Sequence, residues 1–333
     1  MKKAVNFVIL VLLLCAQLTA CGHGSTADVS CTQPEQTVSI QSTASSSSQQ
    51  DHLNTEDSTT HTESGPGYDE AETTGTDSAS DATKETEDTQ LIGRYYTRAE
   101  LEALDCTHMG WGAGSSEGGV RPPYALSTQP RYGKYDTWFI APDNGKVYLT
   151  FDLGYEYKDL TNTTLDILKE KNVKAVFFVN MEYISDNQEI ILRIIREGHT
   201  LANHAYHHYD MPELSIDEMV GEIMDLHNYV LGTYDYEMTL FRPPSGYYSE
   251  RLLAVAQTLG YTTVQNSFAY KDWETSNQPA VDKTRDKLID RAHSGAIFLL
   301  HTVSETNAAV LADVIDGIQA KGYTLELFDP NSL

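Results

Sequence analysis

Asp152, His204, His208, Arg242, Asp272 and His301 are the residues whose types and spacing could do chemistry in this chain of 333 residues. His204 and His208 lie four apart, a spacing that lets two neutral imidazoles hold one divalent cation. Such an ion polarises a carbonyl and acidifies a bound water. Asp152 would then be the general base removing the water's proton, with Arg242 keeping its carboxylate ionised by opposite charge. His301 would be the general acid protonating a leaving nitrogen, and Asp272 would stabilise its imidazolium form. A backbone N–H near Ser245 could donate to the developing oxyanion. Each residue alone has an ordinary explanation: Asp152 could cap a turn, Arg242 before Pro243-Pro244 could anchor a loop, and His301 could be a core histidine. Together they point to metal-assisted hydrolysis.

What gives the set a geometry is its position at the ends of apolar segments. From about residue 146 the hydrophobic pattern alternates between short strands and helices. Strands are expected at Val147–Phe151, Ala175–Val179, Thr200–Ala202, Thr239–Phe241, Thr262–Val264, Ala296–Leu300 and Thr324–Leu327. Helices are expected at Leu160–Lys171, Gln188–Glu197, Ile216–Leu231, Glu250–Leu259, Val281–Ala292 and Glu305–Lys321. Repeated β then α implies a parallel sheet, open or closed, whose active side lies at the carboxyl ends of the strands. Asp152 follows the first strand, the His204–His208 stretch the third, Arg242 the fourth and His301 the sixth; Asp272 lies beyond the fifth.

These blocks, in this order, resemble the five motifs of the NodB-homology polysaccharide deacetylases, carbohydrate esterase family 4. The resemblance covers roughly residues 147–327 and implies a distorted (β/α) barrel that hydrolyses N-acetyl groups of an aminosugar polymer. The strings TFDLGYE, FRPPSGYYSE, SFAYKDWET and GAIFLLHTVSETNAAVL are closest to the branch that de-N-acetylates peptide-free N-acetylmuramic acid on the way to muramic δ-lactam in spore cortex. That branch implies peptidoglycan glycan strands as substrate and an amidase as functional partner. By position the resemblance makes Asp152 the base, His204 and His208 the metal ligands, Arg242 and Asp272 the partners of base and acid, and His301 the acid. Leu299 and Trp273 would help wall the substrate pocket. One departure stands out: Leu153 occupies the place of the family's second aspartate, so a divalent ion, zinc first, would be weakly held. Other deacylases on the same scaffold, acting on N-acetylglucosamine polymers or acetylated xylan, and a glycan-binding lipoprotein without activity are the competing readings.

The composition excludes other classes. With 48 acidic and 23 basic residues the formal charge is -25, which repels nucleic acid. Four cysteines cannot build a disulfide scaffold. Lys2 and Lys3 precede an apolar run ending in Leu18-Thr19-Ala20-Cys21, which resembles a lipobox, so residues 1–21 read as a lipoprotein signal peptide with Cys21 lipidated on the outer face of the cell membrane. Residues 22–90 hold 14 acids, one base and 26 Ser or Thr, and read as a disordered tether. Residues 91–145, rich in Gly, Pro and Tyr without period, read as an irregular flank to a catalytic domain at 146–333.

Overall fold

The computed structural model describes residues 95–114 and 116–333. The signal peptide, Cys21 and the acidic tether of the sequence reading lie outside the described residues.

Among the described residues there are ten strands: β1 (Met109–Gly110), β2 (Thr137–Trp138), β3 (Lys146–Leu153), β4 (Val176–Val179), β5 (Thr200–Asn203), β6 (Leu240–Phe241), β7 (Tyr247–Tyr248), β8 (Thr262–Val264), β9 (Ala296–His301) and β10 (Thr324–Leu325). Eight form one sheet in the order β10-β3-β4-β5-β6-β8-β2, with β9 also on β3. Every pairing within it is parallel. Beyond β8 the chain reaches β9: Phe268 bridges Phe298 in parallel, and the Ser267 and Phe268 N–H groups both point to the Ile297 carbonyl. β9 therefore meets β3 on one side and the chain after β8 on the other. The sheet curls back on itself as a distorted (β/α) barrel.

Around it lie α1 (Arg98–Ala103), α2 (Pro123–Tyr132), α3 (Leu160–Glu170), α4 (Met181–Asp186), α5 (Gln188–Arg196), α6 (Ile216–Tyr234), α7 (Glu250–Thr258), α8 (Val281–Arg291) and α9 (Glu305–Ala320). Local sequence explains where they start. Ser215 and Glu218 form a reciprocal capping box at α6, and the Ser304 hydroxyl accepts the Asn307 N–H at the head of α9. Ile216, Met219, Ile223, Leu226 and Val230 then place one buried stripe of α6 against the sheet.

The period of two along the strands splits the interior into two clusters. Val147, Leu149, Phe151 and Leu153 of β3 join the cluster that includes the helix residues Leu165, Ile191 and Ile315. Tyr148, Val176, Phe178, Ala202, Leu240, Val264 and Ile297, from six strands, pack together with Phe328 inside the barrel. Asp152 shares its face with Tyr148. Leu153 does not; it is buried on the helix side.

The flank differs from its sequence reading. Its described residues take part in the fold: β2 pairs with β8 at the sheet edge, β1 pairs antiparallel with β7, and the Trp111 indole N–H donates to the Asn266 carbonyl at 2.8 Å. The sequence hid this because two-residue strands have no period, and α2 starts on proline and contains Pro130. Helix α4 was also missed; at six residues, with Asn180 accepting the Tyr183 N–H, it is a capped turn and a half.

Gly295 precedes β9 at φ +75°, and a Cβ there would meet the Ala141 and Pro142 carbonyls. Gly295→Ala is expected to cost about 3 kcal/mol, read as a lowered midpoint in denaturant unfolding. Burial pushes His199 and His293 each down to about 4, so both imidazoles are neutral in the folded protein. Unfolded, they take up protons near pH 6.5. Protons therefore favour the unfolded chain between about pH 6.5 and 4. Urea midpoints should fall steadily over that window, and replacing His293 by Gln should flatten part of the fall.

Candidate active site

β3 ends at Leu153, and Asp152 is its last residue on the barrel-interior face. Directly across the β3–β9 ladder its register partner is His301, the last residue of β9. The two groups proposed to oppose each other thus come from adjacent strands, at the carboxyl end of the barrel.

Asp152 is 8% exposed and Arg242 1%. The guanidinium spends three donors on three acceptors: Nη1 to Asp152 Oδ1 at 2.6 Å, Nε to the Val264 carbonyl at 2.9 Å and Nη2 to the Gln265 carbonyl at 3.0 Å. It lies 4.1 Å over the Phe178 ring. Burial alone would raise the Asp152 carboxyl, but the Arg242 guanidinium beside it, with the His204 and His301 imidazoles adding whenever they are protonated, outweighs it and holds the carboxyl below its ordinary range.

His204 follows β5. Its Nδ1 is 2.8 Å from the Arg242 carbonyl, which can only accept, so Nδ1 carries the proton and Nε2 presents a lone pair. Nε2 lies 3.7 Å from Asp152 Oδ2. Burial pushes this imidazole down to about 4, so it is neutral at physiological pH. The His208 ring is edge-on to it, with centroids 5.0 Å apart. Ala205 and His208 take left-handed backbone conformations, φ +64° and +62°, which the surroundings must hold. Ala205 N–H donates to Asn203 Oδ1, and Tyr206 N–H to the Glu222 carbonyl. The buried Glu222 carboxylate accepts His207 N–H at 2.8 Å and sits 2.6 Å from His207 Nδ1. Glu222 is a residue that sequence reasoning missed; an acid inside a helix several turns on gives no signal.

The donor set fits a divalent cation only in part. Two imidazoles are brought together, one with its lone pair exposed by the tautomer, but Leu153 offers hydrocarbon and faces the helices. Among the described residues no group of three or more His, Cys, Asp or Glu is arranged to hold a metal.

On the other side, Asp272 is fully buried. Its Oδ1 accepts His301 Nδ1–H at 2.7 Å and its Oδ2 accepts the His301 backbone N–H at 2.9 Å. Burial lowers the His301 imidazole, yet the Asp272 hydrogen bond and charge, with Asp152 adding, carry it above its ordinary value. The side chain is 23% exposed, so the imidazole edge opposite Asp272 is open to the mouth. Trp273, 48% exposed, stands 5.5 Å from the His301 ring, and Leu299 pairs with Thr150 one layer below. Ser245 sits exposed at the tip of the Pro244–Gly246 turn with φ +55°. The other motif-adjacent groups are structural. Glu156 binds the Tyr183 hydroxyl and the Thr161 N–H, and His293 ties Ser267 to the Arg291 carbonyl.

Replacing Arg242 by Met would leave a buried carboxylate without its counter-ion. A loss of about 3–5 kcal/mol is expected, measured by denaturant unfolding, together with a rise of the Asp152 pKa.

Known proteins resemble this chain in sequence and in fold. A family profile described as "Polysaccharide deacetylase" matches residues 140–264. The Bacillus subtilis protein named peptidoglycan-N-acetylmuramic acid deacetylase PdaA is 36% identical over 233 residues, 69% of this chain and 88% of that protein. The solved structure of B. subtilis PdaA, described as a family 4 carbohydrate esterase, superposes with a TM-score of 0.63 at 34% identity, covering 67% of this chain and 95% of that one. A family 4 carbohydrate esterase from Bacillus anthracis gives 0.56 at 32% identity, covering 68% and 96%. With a barrel, a carboxylate–guanidinium pair and an opposed histidine in place, the chain belongs to the polysaccharide deacetylases of carbohydrate esterase family 4.

Proposed function

We propose that the chain hydrolyses N-acetyl groups of peptidoglycan, acting on N-acetylmuramic acid from which an amidase has already removed the stem peptide. The freed amine would then close onto the lactyl group, giving the muramic δ-lactam of spore cortex. The observation that carries the reading is the opposition of Asp152 and His301 across one strand pair, the first group pulled toward its ionised form and the second toward its protonated form. The B. subtilis relative, named a peptidoglycan-N-acetylmuramic acid deacetylase, supports muramic acid as the sugar. The Leu18-Thr19-Ala20-Cys21 sequence supports an extracytoplasmic enzyme held to the membrane by lipid on Cys21.

His204 and His208 are the residues that would hold a divalent cation, zinc first, with Leu153 leaving the hold weak. When bound, such an ion supplies Lewis-acid polarisation of the amide carbonyl. Asp152 takes a proton from the attacking water as its oxygen bonds to the carbonyl carbon. The N–H at Ser245 donates to the oxyanion so formed. His301, held through Nδ1 by Asp272, gives its Nε2 proton to the nitrogen as the C–N bond breaks, leaving acetate and the amine. Leu299 and Trp273 wall the pocket for the acetyl group and the sugar.

The test is acetate release from peptide-free glycan strands, with and without divalent ions, followed by mass spectrometry of muramidase fragments. Acetyl loss from muramic acid is expected, and loss from glucosamine alone would overturn the assignment of the sugar. His301→Ala should lower kcat by about 10³-fold while glycan binding persists. Undiminished turnover in that variant would remove His301 from the acid role.

A further inference from the structure

The proposed acid does not stand on Asp272 alone. The Asp272 carboxylate accepts a third donor at Oδ2, Asn307 Nδ2–H at 2.6 Å, and the same amide reaches the His301 carbonyl at 3.3 Å. Asn307 cannot turn over. Its Oδ1 accepts the Tyr270 hydroxyl, and a flipped amide would aim its oxygen at a carboxylate. Burial, then the Asp272 charge, raises the Tyr270 phenol, so that hydroxyl remains a donor. Position comes from the helix. Asn307 is the third residue of α9, its N–H bound at 3.1 Å by the capping Ser304 hydroxyl. Ser304 in turn donates to Gln278 Oε1 at 2.5 Å, and Gln278 Nε2 donates to the Asp272 carbonyl at 2.8 Å. Gln278 and Asn307 thus clamp Asp272 at its backbone and at its side chain, from the loop before α8 and from the head of α9.

We propose that Asn307, oriented by Tyr270, is the positioning residue for the acid. By fixing Asp272 Oδ2 it sets the rotation of the carboxylate, and so the side of His301 that is bound and the side that faces the substrate. Asn307 touches no reacting atom. Its effect passes through Asp272, as outer hydrogen bonds orient the groups that do the chemistry elsewhere. The charged groups facing His301 are Asp272 from the segment after β8, Asp152 from β3 and Arg242 from just after β6. The first is the one Asn307 controls. The inference rests on the reading of His301 as the acid, and its test keeps the two apart.

The experiment compares Asn307→Leu and Tyr270→Phe with the parent enzyme. It uses the titration of the His301 imidazole followed by NMR, and kcat and KM across pH on peptide-free glycan strands. A carboxylate held only by the two His301 donors is less firmly fixed and holds the imidazolium less well. Asn307→Leu should therefore shift the His301 titration, and the alkaline limb of kcat with it, by about one pH unit toward acid. kcat should fall about 10- to 100-fold with KM within about twofold. Tyr270→Phe should move both in the same direction by less, and it decides the matter alone should the leucine variant not fold. An unmoved His301 titration, or one moved upward, overturns the positioning role whatever happens to kcat. A shifted titration with parental turnover keeps the positioning role and refutes His301 as the acid.

Discussion

The buried ion pair between Arg242 and Asp152 is the constraint on which the site depends. Both groups are almost completely removed from water, a state that is tolerable only when every charge and donor is satisfied. The guanidinium meets this by bonding to β3 through the carboxylate and to the end of β8 and the residue after it through two carbonyls, while its stem follows β6 directly and its face rests on Phe178. Its own backbone carbonyl fixes the tautomer of His204. One residue therefore couples the register of three strands to the charge of a carboxylate and to the lone pair of an imidazole. The barrel must be assembled before any of the three is correct.

The opposite half of the site is organised by a different device. His301 is held from one side only, by a carboxylate whose donors come from the end of β9 and the head of α9. The two halves meet across a single ladder of hydrogen bonds, so the separation between the groups that would accept and give protons is set by the spacing of neighbouring strands rather than by loop conformation. A rigid sheet thereby fixes the acid–base distance, while the exposed tips at Ser245 and Trp273 remain free to adapt to a glycan.

Much of this was legible in the sequence, because strands buried on both faces read as apolar runs and their ends are marked by the polar residue that follows. β8 matches its expected bounds, and β3 and β9 were found short by one to three residues. Asp152, His204, Arg242, Asp272 and His301 do gather as their order suggested. What the sequence did not reveal was carried by contacts without periodicity. β1 and β2 are too short to alternate, and the supports of the two histidine sites, Glu222 and Asn307, are ordinary polar residues on helices whose roles exist only once the loops are folded. The alternation that places Asp152 in the barrel also turns Leu153 toward the helices. A missing ligand inferred from the motif is therefore also a residue of the core.

The strand contributed by the flank alters where the enzyme can be cut. The recognised family segment opens at residue 140, just after β2, yet β2 covers the outer edge of β8, and Trp111 is pinned to Asn266 beyond it. A fragment trimmed to the homologous core would carry a naked row of amides and carbonyls along β8, an invitation to stick to its own copies. The unit that evolution can shuffle or a biochemist can express thus reaches back past the motif-bearing half, and the tyrosine-rich stretch before it is a structural wall rather than a spacer.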